Sequence, residues 1–358
     1  MKILVVGGTG ALGRHVCREV VRTMGPEALV VGDYNHDRGR EFARHVSAGV
    51  GGSAAATVVD VHDHRSVEHA VAGVDAVIVT VRQIEPNVQI ASTARGIHSV
   101  DVVPDTPLAQ AVFQVDSPYS GVVAAGLIPG LSGLMARQVM EEATARTGGL
   151  IPEAVHLSLL QRKNGTAGAA GIADMLGLFA RPVFHHEQKI RGFTLRRTAV
   201  FPEPFGNRSV RLVAFPEGAD VKEHFGVEHV HYWTAFDSDF FNGVVGLLNR
   251  LGFLNRFRDP RRSSLLARVL ARSKKNDGAA DETVALSAEA GGVVLGLTVR
   301  SDYTGTAMAA VAMARGLHVR GGVDYGVVLP FQLFTLSEIV SLIDSPDLVL
   351  SSPHEPAP

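Results

Sequence analysis

Residues 7–13 read Gly7-Gly8-Thr9-Gly10-Ala11-Leu12-Gly13, straight after the apolar run KILVV. Leu12, Val16, Val20, Val21 and Met24 then follow at helical spacing. Positions without a Cβ let another molecule approach the backbone. Two glycine patterns overlap here, G-x-G-x-x-G (Gly8, Gly10, Gly13) and G-x-x-G-x-x-G (Gly7, Gly10, Gly13). A diphosphate at a helix N-terminus needs bare N–H groups and no side chain in its way. Asp33 closes a second apolar run, LVVGD, 20 residues after Gly13. A carboxylate there accepts hydrogen bonds from an adenosine ribose. The expected ligand is NAD, because Asp33 repels a 2′-phosphate. His36, Arg38 and Arg40 follow closely and make NADP the alternative if the loop folds back.

Those residues need a sheet to hold them. Strands are expected at 2–6, 29–33, 56–60, 75–81 and 99–103, with helices at 11–24, 36–47, 63–72 and 87–95. This is a βαβαβ succession with right-handed crossovers, and ligands lie beyond the carboxyl ends of such strands. The ends therefore supply further candidates: Asp60 and Val61, Thr80 and Val81, then Arg82 and Asp105. Arg82 is either a solvated loop residue or the bidentate holder of a substrate carboxylate. Asp105 either caps a turn or orients an amine and relays a proton. A short strand at 122–124 leads to a turn, Gly126-Leu127-Ile128-Pro129-Gly130, with Ser132 expected to cap the next helix. Gly126 and Pro129 would close over a nicotinamide, or simply start that helix.

Further along, Gln161-Arg162-Lys163-Asn164-Gly165 ends a strand. Its charges are exposed loop groups or a substrate-binding edge, and Lys163 is a general acid if burial lowers its pKa. His229 and His231 share one face of a strand, but no third metal ligand is convincingly spaced, so no metal is assigned. His185 and His186 are read as surface residues. Between Arg250 and Lys275 nine basic residues face one acid, Asp259. They form a solvated helical flank, or a basic lid for an anionic substrate or a membrane surface.

At 358 residues the chain is long enough for two domains. Its 46% hydrophobic content marks it as globular rather than disordered. A net charge of −2 supplies no field that would draw it to nucleic acid. Cys17 is the one cysteine, so no intramolecular disulfide forms and the cytoplasm is the expected compartment. The apolar start is too short for a secretory signal. The apolar stretch 240–254 is interrupted by Arg250 and falls short of the ~20 residues a bilayer span needs. The final SSPHEPAP is expected to be a disordered tail.

A glycine-rich turn of this kind also serves short-chain dehydrogenases and sugar-nucleotide epimerases, which need a Tyr with a Lys four residues on. Tyr34, Tyr119, Tyr232, Tyr303 and Tyr325 are followed at that distance by Arg38, Val123, Phe236, Ala307 and Leu329. That mechanism is absent. The chain instead resembles the saccharopine dehydrogenase-like family. The resemblance rests on the strand and Gly126–Gly130 turn, on FPEPFGNRSVRLVAFPE (201–217), on HVHYWTAFDSDFFNGVVGLLNRLGF (229–253) and on SDYTGTAMAAVAMARGLHVRGGVDYGVVLP (301–330). It implies an α/β fold: an N-terminal Rossmann dinucleotide-binding domain (1–125), and an inserted α+β domain for substrate and dimerisation (126–302). A C-terminal segment (303–345) returns to the first domain, followed by a tail (346–358). It also implies a homodimer and hydride transfer to or from the C=N bond of an amine/oxo-acid adduct. Two other readings stay open: a reductase of C=C or C=O in a lipid or natural-product intermediate, and a dinucleotide sensor without turnover.

Overall fold

The first apolar run forms a four-residue strand, β1 (Ile3–Val6), buried along its whole length. A strand buried on both faces belongs inside a parallel sheet. That is where β1 sits in the computed structural model, which describes residues 1–103, 121–162, 177–179, 181–185, 188–252, 282–320 and 326–351. These residues divide into two compact units, Met1–Leu134 with Tyr303–Ser345, and Met135–Asp302 with Pro346–Pro358.

In the first unit β1 is followed by α1 (Ala11–Met24), β2 (Leu29–Asp33), α2 (His36–Ser47), β3 (Ala55–Val58), α3 (His64–Ala70), β4 (Ala76–Val79), α4 (Asn87–Thr93), β5 (His98–Asp101) and β6 (Gly121–Val122). Helix α5 (Leu131–Arg146) then carries the chain across the division. The sheet order is β15-β6-β5-β4-β1-β2-β3, with β15 (Val327–Val328) added from the C-terminal part, and every pairing is parallel. The chain winds outward from β1 through β2 to β3, then returns to β4 on the other side of β1. The crevice beyond the carboxyl ends of β1 and β4 is thus the reversal point where such sheets bind ligands.

Helices α1 and α2 keep the bounds expected from periodicity, because local caps end them. The Asn35 side chain accepts from Arg38 N–H at 3.0 Å to start α2. Strand β2 also keeps its expected bounds, 29–33, while β1, β3, β4 and β5 are shorter than expected. β4 pairs only where β1 does, from Ile3↔Ala76 to Val6↔Val79, so Asp75, Thr80 and Val81 lie outside it. β3 stops at Val58 because its partner β2 ends at Asp33. Ser132 is not the cap of α5. It lies in that helix's first turn, fully buried, with its N–H on Leu127 O at 3.1 Å.

The second unit holds a mixed sheet, in the order β10-β11-β12-β7-β13-β14-β16. Its strands are β7 (Ala154–Gln161), β10 (Arg196–Phe201), β11 (Gly206–Val213), β12 (His229–Phe236), β13 (Val284–Ala290), β14 (Val293–Val299) and β16 (Leu348–Ser351). A separate hairpin, β8 (Pro182–His185) and β9 (Gln188–Arg191), was not legible from the sequence. Helices α6 (Glu217–Phe225) and α7 (Asp239–Arg250) complete it. Strand β16 corrects the expected tail: Leu348–Ser351 pair antiparallel with β14, whose outer edge would otherwise stay unpaired.

Helix α8 (Asp302–Arg320) extends past both ends of the alanine-rich segment 304–315. It is buried nearly all round, which its alanines and glycines permit by letting neighbours approach closely. Its Thr306 accepts from Leu127 N–H at 3.2 Å, within the first unit. The first unit closes with α9 (Pro330–Leu333) and α10 (Leu336–Ile343). No described helix is long and apolar enough to cross a membrane.

Candidate dinucleotide site

The turn between β1 and α1 is fixed by its own backbone. Gly7 and Gly8 N–H both donate to Gly32 O, at 2.9 and 3.0 Å, and Gly10 N–H donates to Gly7 O at 2.9 Å. Gly7 adopts φ +80°, where side chains are strained. A Cβ on Gly7 would also stand 2.2 Å from Val81 Cγ1. A Cβ on Gly13 would lie 2.0 Å from Gly7 O, so this glycine lets the helix rest on the turn. Gly10 differs. It is exposed, its backbone is extended, and a Cβ there would meet only Gly7 O, at 3.1 Å. Its outer side faces open space at the N-terminus of α1.

That terminus has no side-chain cap and no acidic residue in its first turn. Its positive end is left to backbone N–H groups, as an anion requires. The turn at residues 7–13 therefore has room for an anion beside the backbone N–H groups of Thr9, Ala11 and Leu12, while the Gly10 N–H is engaged by Gly7 O.

Asp33 ends β2 beside this turn and is 4% exposed. It accepts from the Thr9 hydroxyl, from Asn35 N–H at 2.8 Å and from Arg38 Nη2 at 2.6 Å. Burial opposes its charge, but the hydrogen bonds from Arg38, Thr9 and Asn35 outweigh it and hold the carboxyl below its ordinary value. The loop does fold back. Arg38 pairs with Asp33 and spreads its guanidinium 4.7 Å above the exposed Tyr34 ring. Sequence separation alone could not show that Asp33 and Arg38 act together.

Across the crevice, Thr80 and Val81 are brought to the glycine turn. Thr80 Oγ1 donates to Val6 O at 2.8 Å and lies 3.3 Å from Gly7 O. Asp60 is exposed and accepts His62 N–H at 3.0 Å, a local turn contact, while Val61 O accepts from the Asn87 side chain at 2.9 Å. Arg82 is exposed in the turn after β4. The Gly126 turn joins the same unit through Ala125 N–H to Asp101 O at 3.0 Å, and Gly126 N–H donates to Pro129 O at 3.0 Å. Gly130, at φ +127°, completes it. Asp105 and Lys163 lie outside the described residues, as does the basic stretch beyond Gly252.

One group at this edge escaped the sequence reading. Asp101, the last residue of β5, is 2% exposed and accepts from Gln89 Nε2 at 2.8 Å, Gln83 Nε2 at 3.4 Å and Val103 N–H at 2.8 Å. Burial pushes its pKa up to about 7 despite those bonds. The signal was available: an acid inside the run SVDVV must find buried partners.

In the second unit, His185 is not a plain surface residue. Its Nδ1 lies 3.4 Å from Nε2 of His231, whose ring stacks on His156 at 5.2 Å. Tyr232 and Trp233 are buried. Among the described residues, Glu153, Glu228 and His229 bring ligand atoms within 4.8 Å of one another, but both carboxylates are exposed to water.

No family's sequence pattern matches the chain. It is 29% identical over 142 residues to phenylcoumaran benzylic ether reductase PT1 of Pinus taeda. That match covers 36% of this chain and 46% of the reductase, so the chain spans about half the length of that relative. Among solved structures it is similar to saccharopine dehydrogenase (L-Glu forming) of Saccharomyces cerevisiae, with a TM-score of 0.64 at 13% identity over 96% of both chains. It is also similar to homospermidine synthase of Legionella pneumophila solved with NAD, with a TM-score of 0.61 at 11% identity over 98% of this chain and 91% of that one. The fold is that of saccharopine dehydrogenase.

Proposed function

We propose, taking the saccharopine dehydrogenase fold as the starting point, that this chain is an NAD(P)-dependent oxidoreductase acting on a small molecule. The observation that carries the proposal is the turn at residues 7–13, open at Gly10 and closed at Gly7, Gly8 and Gly13 by neighbouring side-chain and backbone atoms. A dinucleotide held there supplies or takes a hydride. The protein's part is to bind, orient and exclude water. Backbone N–H groups of residues 9–12, apart from the Gly10 N–H that Gly7 O engages, hold the diphosphate, and Asp33 with Arg38 meets the adenosine ribose. Thr80 and Val81 hold the β4 edge of the crevice against Gly7. Gly126 and Pro129 belong to the nicotinamide end. Arg82, Asp105 and Lys163 are the proposed substrate and proton-handling residues. The proposed bond is C=N, in an adduct of an amine and an oxo acid.

A second reading has its own support. The relative from Pinus taeda is a phenylcoumaran benzylic ether reductase, and Ile84, two residues after Arg82, is 79% exposed. An apolar substrate with a reducible C=C or C=O bond would suit such an edge. Oxidation of NADH and NADPH against amine/oxo-acid pairs and against aromatic enones and ketones separates the readings. Tight dinucleotide binding with turnover of none would leave a sensor. A homodimer is the proposed assembly, to be checked by sedimentation, and the cytoplasm is the proposed compartment for a chain whose one cysteine is buried.

Asp33 is the proposed discriminator between cofactors. Its carboxylate repels a 2′-phosphate, while Arg38 partly offsets that repulsion. Asp33→Ser removes the negative charge and frees Arg38. NADP affinity is expected to rise by about 1–2 kcal/mol, roughly 5- to 30-fold, while NAD weakens. Calorimetry with both dinucleotides reads this. A wild-type protein that already prefers NADP would show the assignment to be wrong.

A further inference from the structure

Two elements of the second unit turn apolar side chains outward beside cations. In the hairpin β8–β9, Pro182 opposes Arg191, Val183 opposes Ile190 and Phe184 opposes Lys189. Side chains alternate along a strand, so Phe184, Lys189 and Arg191 share one face and Val183 and Ile190 the other. The second face is the inner one: Val183 packs with Leu160, Phe201 and Trp233, and Ile190 lies against that cluster. The first face is outward, with Phe184 68% exposed and Lys189 and Arg191 exposed beside it. Helix α7 continues this surface. Its Asn242, Gly246 and Asn249 are buried, while Leu247, Arg250 and the following Leu251 are exposed, Leu247 by 58% and Leu251 by 63%. Their spacing of three and four residues places them on one stripe. Two contacts tie the end of α7 to the base of the hairpin. Asn249 Nδ2 donates to Phe179 O at 2.7 Å and to Gly192 O, and the Arg191 guanidinium donates to Arg250 O.

Large apolar side chains left together in water mark a contact surface. The cations say what covers this one. Lys189, Arg191 and Arg250 stand among the apolar groups. Strands β8 and β9 hold no acid, and Glu187 of their connection lies outside the described residues. The one acid of α7, Asp239, sits at its opposite end, about 16 Å away by the helical rise. A second copy docked about a twofold axis would set these cations against themselves. A surface of negative headgroups over an apolar interior meets both features at once. We propose that the outer face of β8–β9 and the Leu247–Leu251 stripe of α7 form a docking surface for an anionic lipid bilayer. Phe184, Leu247 and Leu251 enter the boundary between headgroups and acyl chains. Lys189, Arg191 and Arg250 lie along it, their stems on the apolar side and their charges at the headgroup phosphates. Binding of this kind is peripheral, and it does not depend on the dinucleotide reading.

Co-sedimentation of the full chain with vesicles tests this, using phosphatidylcholine alone and phosphatidylcholine mixed with phosphatidylglycerol. The wild type should pellet with the mixed vesicles and stay in solution with the neutral ones, and added salt should release it. Lys189→Gln with Arg250→Gln should weaken partitioning roughly 5-fold for each charge removed. Phe184→Ser with Leu247→Ser and Leu251→Ser should release the protein at a salt concentration where the wild type still pellets. All five positions are exposed, so thermal melts should stay close to wild type. Val319→Ser removes another apolar group, 78% exposed, from the first unit and should bind as the wild type does. A folded wild type that pellets with neither vesicle overturns the proposal. So does binding that survives both sets of substitutions, which would lie elsewhere on the chain, and so does a loss shared by Val319→Ser. A dimer that splits in the serine variant, by sedimentation velocity, would make this face a contact between copies. A shift on a sizing column with polyglutamate, without vesicle binding, would make it a contact for an acidic protein. Either result overturns the bilayer assignment.

Discussion

Gly10→Val should abolish dinucleotide binding and leave the protein folded. The first half follows from position. Gly10 is exposed at the uncapped N-terminus of α1, on the side where the diphosphate is proposed to lie. A branched side chain there occupies the ligand's space and covers the neighbouring N–H groups. Losing two charge-assisted hydrogen bonds at about 1.5–3 kcal/mol each weakens binding at least ~100-fold. The second half follows from what a side chain at Gly10 would touch. Its backbone is at φ −68°, ψ 171°, an extended conformation open to any residue, and a Cβ meets only Gly7 O at 3.1 Å. The stability cost is about 1 kcal/mol. Calorimetry with NADH and NADPH, beside a thermal melt, measures both halves. Unchanged affinity in the folded variant would remove the diphosphate from this turn.

Three residues on, a smaller change should act on the fold first. Gly13→Ala adds one methyl group, placed 2.0 Å from Gly7 O and 2.8 Å from Gly7 C and Gly8 Cα. All three atoms are backbone, so no side chain can turn aside. The helix must lift from the turn, at a cost of about 3 kcal/mol by analogy with overpacked cores. For a unit of this size that is a fall of roughly 6–12 °C in melting temperature. Binding should weaken as well, because the N–H groups move with the helix. The two substitutions together separate a glycine required by the ligand from one required by the fold. A Gly13→Ala protein that melts like wild type would mean that α1 does not rest on the turn as closely as 2.0 Å implies.

The sequence by itself determined the parts of this protein whose causes are local. The residue pattern placed α1 and α2 at 11–24 and 36–47, because helical periodicity is a property of neighbouring residues. The glycines at 7, 8, 10 and 13 were legible for the same reason: a missing Cβ is a property of the residue itself. Where strands end was not local. Thr80 and Val81 read as strand and are not, since β4 pairs only as far as Val6. Ser351 read as tail and closes an open edge of β14. The tertiary structure also decided which charges meet. Asp33 read as a free acceptor, yet it is shared among Thr9, Asn35 and Arg38. Asp101 read as one more strand residue, yet it closes a buried network with side chains 12 and 18 positions away. Such pairings are set by the packing of β5 against β4 and α4, and by burial, which makes an unpartnered carboxyl costly wherever the chain happens to place it.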